Sequence, residues 1–207
     1  MKRTLLISAA LLMIAVVVIS GGLLLYIRSH GFSARLEPSA AEAAFARRVR
    51  ALSIPRSIKE MPNPEPRTAE ALSEAMAHFA DHCAVCHAND GSGDTATGKG
   101  LSPRPPDMRG AVTQSQTDGE LYNSIHNGIR FTGMPAFGDA ALGSKDTDTW
   151  NLVHFIRHLP QLSEEEKQAM KKMNPRSPAD IEEEDRIRRF LAGEDVPEDS
   201  SNSHGHH

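Results

Sequence analysis

The sequence predicts an all-α fold. Apolar residues recur at helical spacing in each periodic stretch, helix start and stop signals bracket those stretches, and no alternating strand pair or internal repeat interrupts them along the 207 residues. Aromatic residues make up only 5% of the chain, a thin supply for a core, so apolar volume from another source is expected. A net charge of −4 offers no basic excess for a phosphate backbone, and no nucleic-acid partner is expected.

The N-terminus reads as a membrane anchor, residues 1–28. Leu5 to Ile27 is uncharged and apolar, lies between Lys2-Arg3 and Arg28, and as a helix is long enough to cross roughly 30 Å of hydrocarbon. A cleaved signal peptide competes, but its apolar region usually spans about 7–15 residues and ends in a small-x-small site, which is missing here. Flanking charge leaves the orientation open, because Lys2 and Arg3 face Arg28 and Arg35 across the span.

Residues 29–67 read as a basic, Pro-rich tether. Between Arg28 and Glu60 seven basic residues face three acidic ones, a balance of +4 that suits anionic headgroups or a solvated linker. Ala40 to Leu52 forms an Ala-rich amphipathic piece, and prolines at 55, 62, 64 and 66 favour extended, semi-rigid chain. The next domain is expected to stand off the bilayer by roughly tens of ångströms.

Residues 68–161 form the central domain. Thr68 precedes Leu72, Ala75, Met76 and Phe79, spaced i, i+3, i+4 and i+7, in a helix that runs into Cys83. Gly91 to Pro106 is a Gly/Pro-rich wrapping loop. Thr117 with Glu120 opens a short helix through Leu121, Ile125 and His126, closed before Gly128. Another starts near Asp146, carries Trp150, Leu152, Val153, Phe155, Ile156 and Leu159, and stops at Pro160. In a helical extension, residues 162–193, Ser163 with Glu166 caps one helix, Asn174-Pro175 breaks it, and Ser177-Pro178 with Asp180 opens a last one. Residues 194–207 are expected to be a disordered tail; its His204, His206 and His207 offer weak copper or zinc binding as the alternative.

The chemistry concentrates in Cys83-Ala84-Val85-Cys86-His87, the arrangement through which haem is attached covalently to protein. One helical turn places two thiols near the two vinyl edges of a porphyrin, and the adjoining histidine can reach the iron. Cys83 and Cys86 would form thioether links and His87 Nε2 the proximal iron ligand. Zinc would need further ligands, yet there is no third Cys; a dithiol oxidoreductase would need a βαβ pattern, which is missing. Both cysteines are consumed, so no structural disulfide is expected.

Met134, within Gly133-Met134-Pro135, is the candidate for the opposite axial position. A thioether favours ferrous iron and raises the reduction potential, glycine permits close approach, and proline stiffens the loop. Met108 is read as core filler. His126 or an open site remain the other possibilities. Arg104 and Arg130 lie in loops where a guanidinium could pair with a haem propionate, solvent-facing charge being the alternative. The i, i+4 pairs His78/His82 and His154/His158 are read as exposed surface histidines rather than metal sites.

With these residues in place, the span from Thr68 to Leu159 resembles the class I cytochrome c family. The matching features are Phe79 four residues before Cys83, the Cys83–His87 motif, Gly133-Met134-Pro135, and the aromatic helix around Trp150 and Phe155. The resemblance implies a cytochrome c fold whose first and last helices cross, Phe79 meeting Leu152 and Phe155. It implies one covalently attached haem c, and a proline carbonyl on the His87 Nδ1 hydrogen, with Pro103, Pro105 and Pro106 competing for that role. In this family attachment occurs outside the bacterial cytoplasm, which places the C-terminal bulk in the periplasm and the anchor in the inner membrane.

The function expected on this basis is that of a membrane-tethered monohaem carrier passing single electrons between redox proteins, with no enzymatic activity of its own. From Thr68 to Pro160 six basic residues face eleven acidic ones, a balance of −5 that favours partners with basic docking surfaces. The alternatives are a haem-bearing subunit of a larger membrane oxidoreductase complex, and a haem ligand sensor or peroxidase.

Overall fold

The computed structural model describes residues 2–31, 33–176 and 178–194. Ser177 of the last cap and all but the first residue of the expected tail, with His204, His206 and His207, lie outside the described residues. Among the described residues the chain is all-α, with no strand.

Helix α1 (Lys2–His30) has 29 residues, and its apolar 18-residue core reaches a mean hydropathy of 2.7 with none of its side chains covered by protein. At 1.5 Å per residue it is about 43 Å long, more than a hydrocarbon layer of roughly 30 Å requires. A helix apolar on all sides and uncovered by protein is compatible with lipid on all sides. Helix α2 (Ala40–Ser53), capped by Ser39, follows, then the short α3 (Arg56–Lys59).

The Pro-rich segment departs from the extended spacer that its prolines suggest. Ile54 is buried, the Asn63 amide donates to the Trp150 carbonyl (2.9 Å), Thr147 donates to Glu65 Oε1 (3.0 Å), and His154 Nε2 donates to the Glu65 carbonyl (2.8 Å). The α3 backbone also lies hard against Gly119: a Cβ there would fall 1.8 Å from the Ile58 carbonyl oxygen. Four prolines leave few free N–H groups, and the carbonyls of the segment are available to the domain's donors. Residues 54–67 are therefore a belt on the domain.

Helix α4 (Ala69–His78), capped by Thr68, passes through a π turn (Phe79–Cys83) into α5 (Ala84–His87). Short helices α6 (Ala96–Lys99) and α7 (Ala111–Gln114) punctuate the following loop, and α8 (Asp118–Asn127) opens on the reciprocal Thr117/Glu120 capping box. Helix α9 (Thr147–His158), capped by Asp146, crosses α4, with the Phe79 and Phe155 rings 5.0 Å apart between centroids. Trp150, Val153, Phe155 and Leu159 are fully or almost fully buried in one core. Phe155→Ala is expected to cost about 3–5 kcal/mol, read as a lowered urea midpoint; a change under about 1 kcal/mol would contradict this packing.

Helix α10 (Glu164–Met173) opens on the Ser163/Glu166 capping box and buries Met170 completely in that same core. Glu166 accepts from His158 Nε2 (2.7 Å), whose Nδ1 faces Arg67 (3.3 Å). His154 and His158 are thus half-buried and hydrogen-bonded, not the exposed surface histidines expected. Helix α11 (Pro178–Leu191) ends before Gly193, which has φ +77°.

Candidate functional site

The three motif residues sit at the end of one continuous helical run. The π turn widens the helix up to and including Cys83, and such turns recur where a helix must re-aim functional side chains. His87 ends α5 because the next residue, Ala88, takes φ +59°, ψ 158°, a conformation that stops a helix and turns the chain sharply. The turn is held by Ala88 N–H donating to the Ala84 carbonyl (2.9 Å) and by Gly93 N–H donating to the His87 carbonyl (2.8 Å).

The wrapping loop closes over the motif backbone. The Thr95 hydroxyl donates to the Cys86 carbonyl (3.3 Å), and a Cβ on Gly98 would fall 2.6 Å from that same oxygen, so only glycine allows α6 to lie there. Farther along, Leu101 packs on the Met134 loop, its side chain 2.6 Å from where a Gly133 Cβ would be. The loop after the motif and the loop that carries Met134 are thereby in contact.

Chemically, the motif residues fit a haem better than the alternatives. Burial, reinforced by neighbouring Cys86, pushes the Cys83 thiol up to about 12, the opposite of the low value that a reactive dithiol needs. Burial pushes His87 down to about 4, which keeps the imidazole neutral and its lone pair available to a metal. His87 is buried beside Phe79, ring centroids 6.5 Å apart, and its Nδ1 has no hydrogen-bond partner among the described residues. None of Pro103, Pro105 or Pro106 supplies the carbonyl that the family resemblance implies. No group of three or more His, Cys, Asp or Glu side chains is arranged to hold a bare metal ion among the described residues.

Met134 is half-buried against the core, in a loop pinned on both flanks. Before it, Ile129 N–H donates to the Met134 carbonyl (3.1 Å) and Met134 N–H donates to the Thr132 hydroxyl (3.1 Å). After it, Phe137 and Gly138 N–H groups donate to the Ile125 and His126 carbonyls (3.1 Å each). Gly128, at φ +66°, faces Pro135 so closely that a Cβ would fall 2.6 Å from its carbonyl carbon. Met108 is a buried core residue, as expected.

One ring nitrogen of His126 is engaged. Its Nδ1 donates to Asp146 Oδ2 (3.0 Å), it stacks on Tyr122, and a Cβ on Gly138 would fall 1.9 Å from Nδ1. Asp146 Oδ2 also accepts from Thr149 Oγ1 (2.8 Å) and Asp139 N–H (3.1 Å), so this buried carboxylate ties the exit of the Met134 loop to the start of α9. Sequence reading missed this pair; the N-cap Asp146 was the only visible signal.

Burial alone would raise Asp146, but the hydrogen bonds from Thr149, His126 and Asp139 outweigh it and hold the carboxyl below its usual range. Its stabilisation is therefore complete above an unfolded pKa of about 3.9 and is lost as pH falls through the lower folded value. Asp146→Asn is expected to cost on the order of 2 kcal/mol at neutral pH, with the gap to the parent shrinking on acidification. Urea titrations at neutral and acid pH test this, and a pH-independent gap would contradict it.

Of the proposed propionate partners, Arg104 pairs instead with Glu37 (2.9 Å), while Arg130 is exposed. His78 and His82 meet edge to face, 4.9 Å between centroids, and His78 is lowered by burial and by His82.

Comparison with known proteins agrees with this geometry. The family model for cytochrome c oxidase, cbb3-type, subunit III matches residues 70–156, which run from the first turn of α4 to near the end of α9 and include Cys83, Cys86, His87 and Met134. No curated protein matches the chain. Motif, crossing helices and family match converge: residues 70–156 are a c-type cytochrome domain, and a covalently bound haem c goes with it.

Proposed function

We propose that the chain is a monohaem cytochrome c, held in the inner membrane by α1 with its C-terminal domain in the periplasm, that relays single electrons between redox proteins and catalyses no reaction itself. Haem c, when bound, supplies a reversible one-electron couple. Cys83 and Cys86 would attach it, His87 would present a neutral imidazole nitrogen, and Met134 a thioether. One haem per chain follows from the single pair of cysteines.

The observation that carries the relay reading is the pinning of the Met134 loop on both flanks. A loop held by backbone hydrogen bonds to α8 and by its own Thr132 keeps its thioether in place, which suits a site that changes charge without opening to a substrate. A sensor or peroxidase would need this loop to release. Each ligand-bearing segment also turns one apolar side chain to solvent, Val85 between the cysteines and Phe131 beside the Met134 turn, as a transient protein contact requires. The −5 balance of the domain favours partners with basic surfaces and a salt-dependent rate of encounter.

A second reading is a fixed subunit of a larger membrane oxidase. The family match favours it, as do the exposed apolar residues Ile181, Ile187, Phe190 and Leu191 on α11. Purified full-length protein is expected to give a pyridine haemochrome with one haem per chain and a one-electron potentiometric titration. Free titratable thiols and no haemochrome would end both readings. Recovery alone from gently solubilised membranes supports the carrier; recovery only within a stoichiometric complex supports the subunit.

A further inference from the structure

Helix α2 has no buried residue, although one of its faces is apolar. Phe45, Val49 and Leu52, spaced i, i+4 and i+7, form a stripe with Ala41, and they are 72%, 49% and 72% exposed. Arg47 and Arg50 lie away from the stripe and Arg48 borders it, against a single acidic residue, Glu42. A 14-residue helix that leaves such a stripe bare needs an apolar phase beside it, and the three arginines select an anionic one.

We infer that α2 lies along the surface of the bilayer that α1 enters, its Phe45–Val49–Leu52 face in the acyl boundary and its arginines among anionic headgroups. The inference rests on the reading of α1 as an anchor. Two observations single out the bilayer over a protein partner. First, α2 begins only nine residues after α1 ends, a connection of at most roughly 30 Å, so the helix cannot move far from the membrane. Second, the arginine excess matches headgroup phosphates, whereas the central domain carries an excess of carboxylates yet leaves the α2 stripe uncovered.

The consequence reaches the haem domain. Lys59 Nζ donates to the Ala51 carbonyl at the end of α2, and α3 is seated on Gly119 of α8. Ile54, one residue past α2, is buried. An interfacial α2 therefore moors the domain at the membrane surface and confines its encounters to partners in or on the same membrane.

The test uses the full-length holoprotein, in which the motif thiols are consumed by haem, carrying one nitroxide label at a time through Phe45→Cys, Val49→Cys, Leu52→Cys, Ala43→Cys or Arg47→Cys. Each variant is reconstituted into vesicles of phosphatidylcholine and phosphatidylglycerol. Collision with oxygen is expected to dominate at 45, 49 and 52, and collision with a water-soluble nickel chelate at 43 and 47. This alternation is expected to be lost when Arg47, Arg48 and Arg50 are all changed to Gln in pure phosphatidylcholine, for which labels at 45 and 43 suffice. Equal chelate access at all five positions would overturn the inference, as would shielding of 45, 49 and 52 from both reagents, the mark of a protein cover. Failure of the underlying readings shows separately: a chain that does not float with vesicles has no anchor, and an unsubstituted chain that takes label has free motif thiols.

Discussion

Withholding haem, by replacing Cys83 and Cys86 with Ser or by expression without an attachment system, is expected to leave the domain without a cooperative unfolding transition. The aromatic core rests on Phe79, Tyr122, Trp150 and Phe155, a small set for a domain that spans α4 to α10. Circular dichroism should retain part of the helix signal, since the capping boxes of α8 and α10 are local, while the thermal transition broadens or vanishes. A sharp transition at the temperature of the haem-loaded protein would show that the polypeptide core is sufficient alone.

What could be read in the sequence follows the range of the interactions involved. Thr117/Glu120 and Ser163/Glu166 are capping boxes closed within four residues, and both form. Asp146 as the start of α9, the break at Asn174-Pro175 and the burial of Met108 are likewise local or set by helical period. The Cys83–His87 motif is legible because attachment chemistry dictates its spacing.

The features that escaped depend on distant partners. The belt of residues 54–67 reads as a spacer because its prolines favour extended chain, and nothing local reveals that Asn63 and Glu65 will meet Trp150, Thr147 and His154. Gly119 looks like an ordinary first-turn residue until the Ile58 carbonyl occupies the place of its side chain. Ala88 takes a positive φ without being glycine, because the hydrogen bonds of His87 and Ala84 to the surrounding chain hold it there. The His126–Asp146 pair joins residues twenty apart whose individual roles, helix-end histidine and helix cap, each have a sufficient local explanation.

Met134→Ala in the haem-loaded protein is expected to separate the axial role of this residue from a packing role. Loss of a thioether from the iron should lower the reduction potential by on the order of 100 mV or more, within the roughly 0.8 V range that axial ligands set. It should also abolish the weak long-wavelength charge-transfer band of the ferric protein and admit small ligands such as azide. Met108→Ala is the matched control: Met108 is the more buried of the two, so its truncation should cost more stability, about 2–5 kcal/mol, and leave potential and band unchanged. Thr132→Val tests the pinning itself, because it removes the hydroxyl that accepts from Met134 N–H while keeping the side chain's shape. A pinned loop predicts that Thr132→Val raises ligand affinity without a large shift in potential, since the thioether is loosened rather than lost. If Met134→Ala leaves the potential, the band and ligand access all unchanged, Met134 is core filler. His126, whose Nδ1 is held by Asp146, would then be the next candidate through its Nε2.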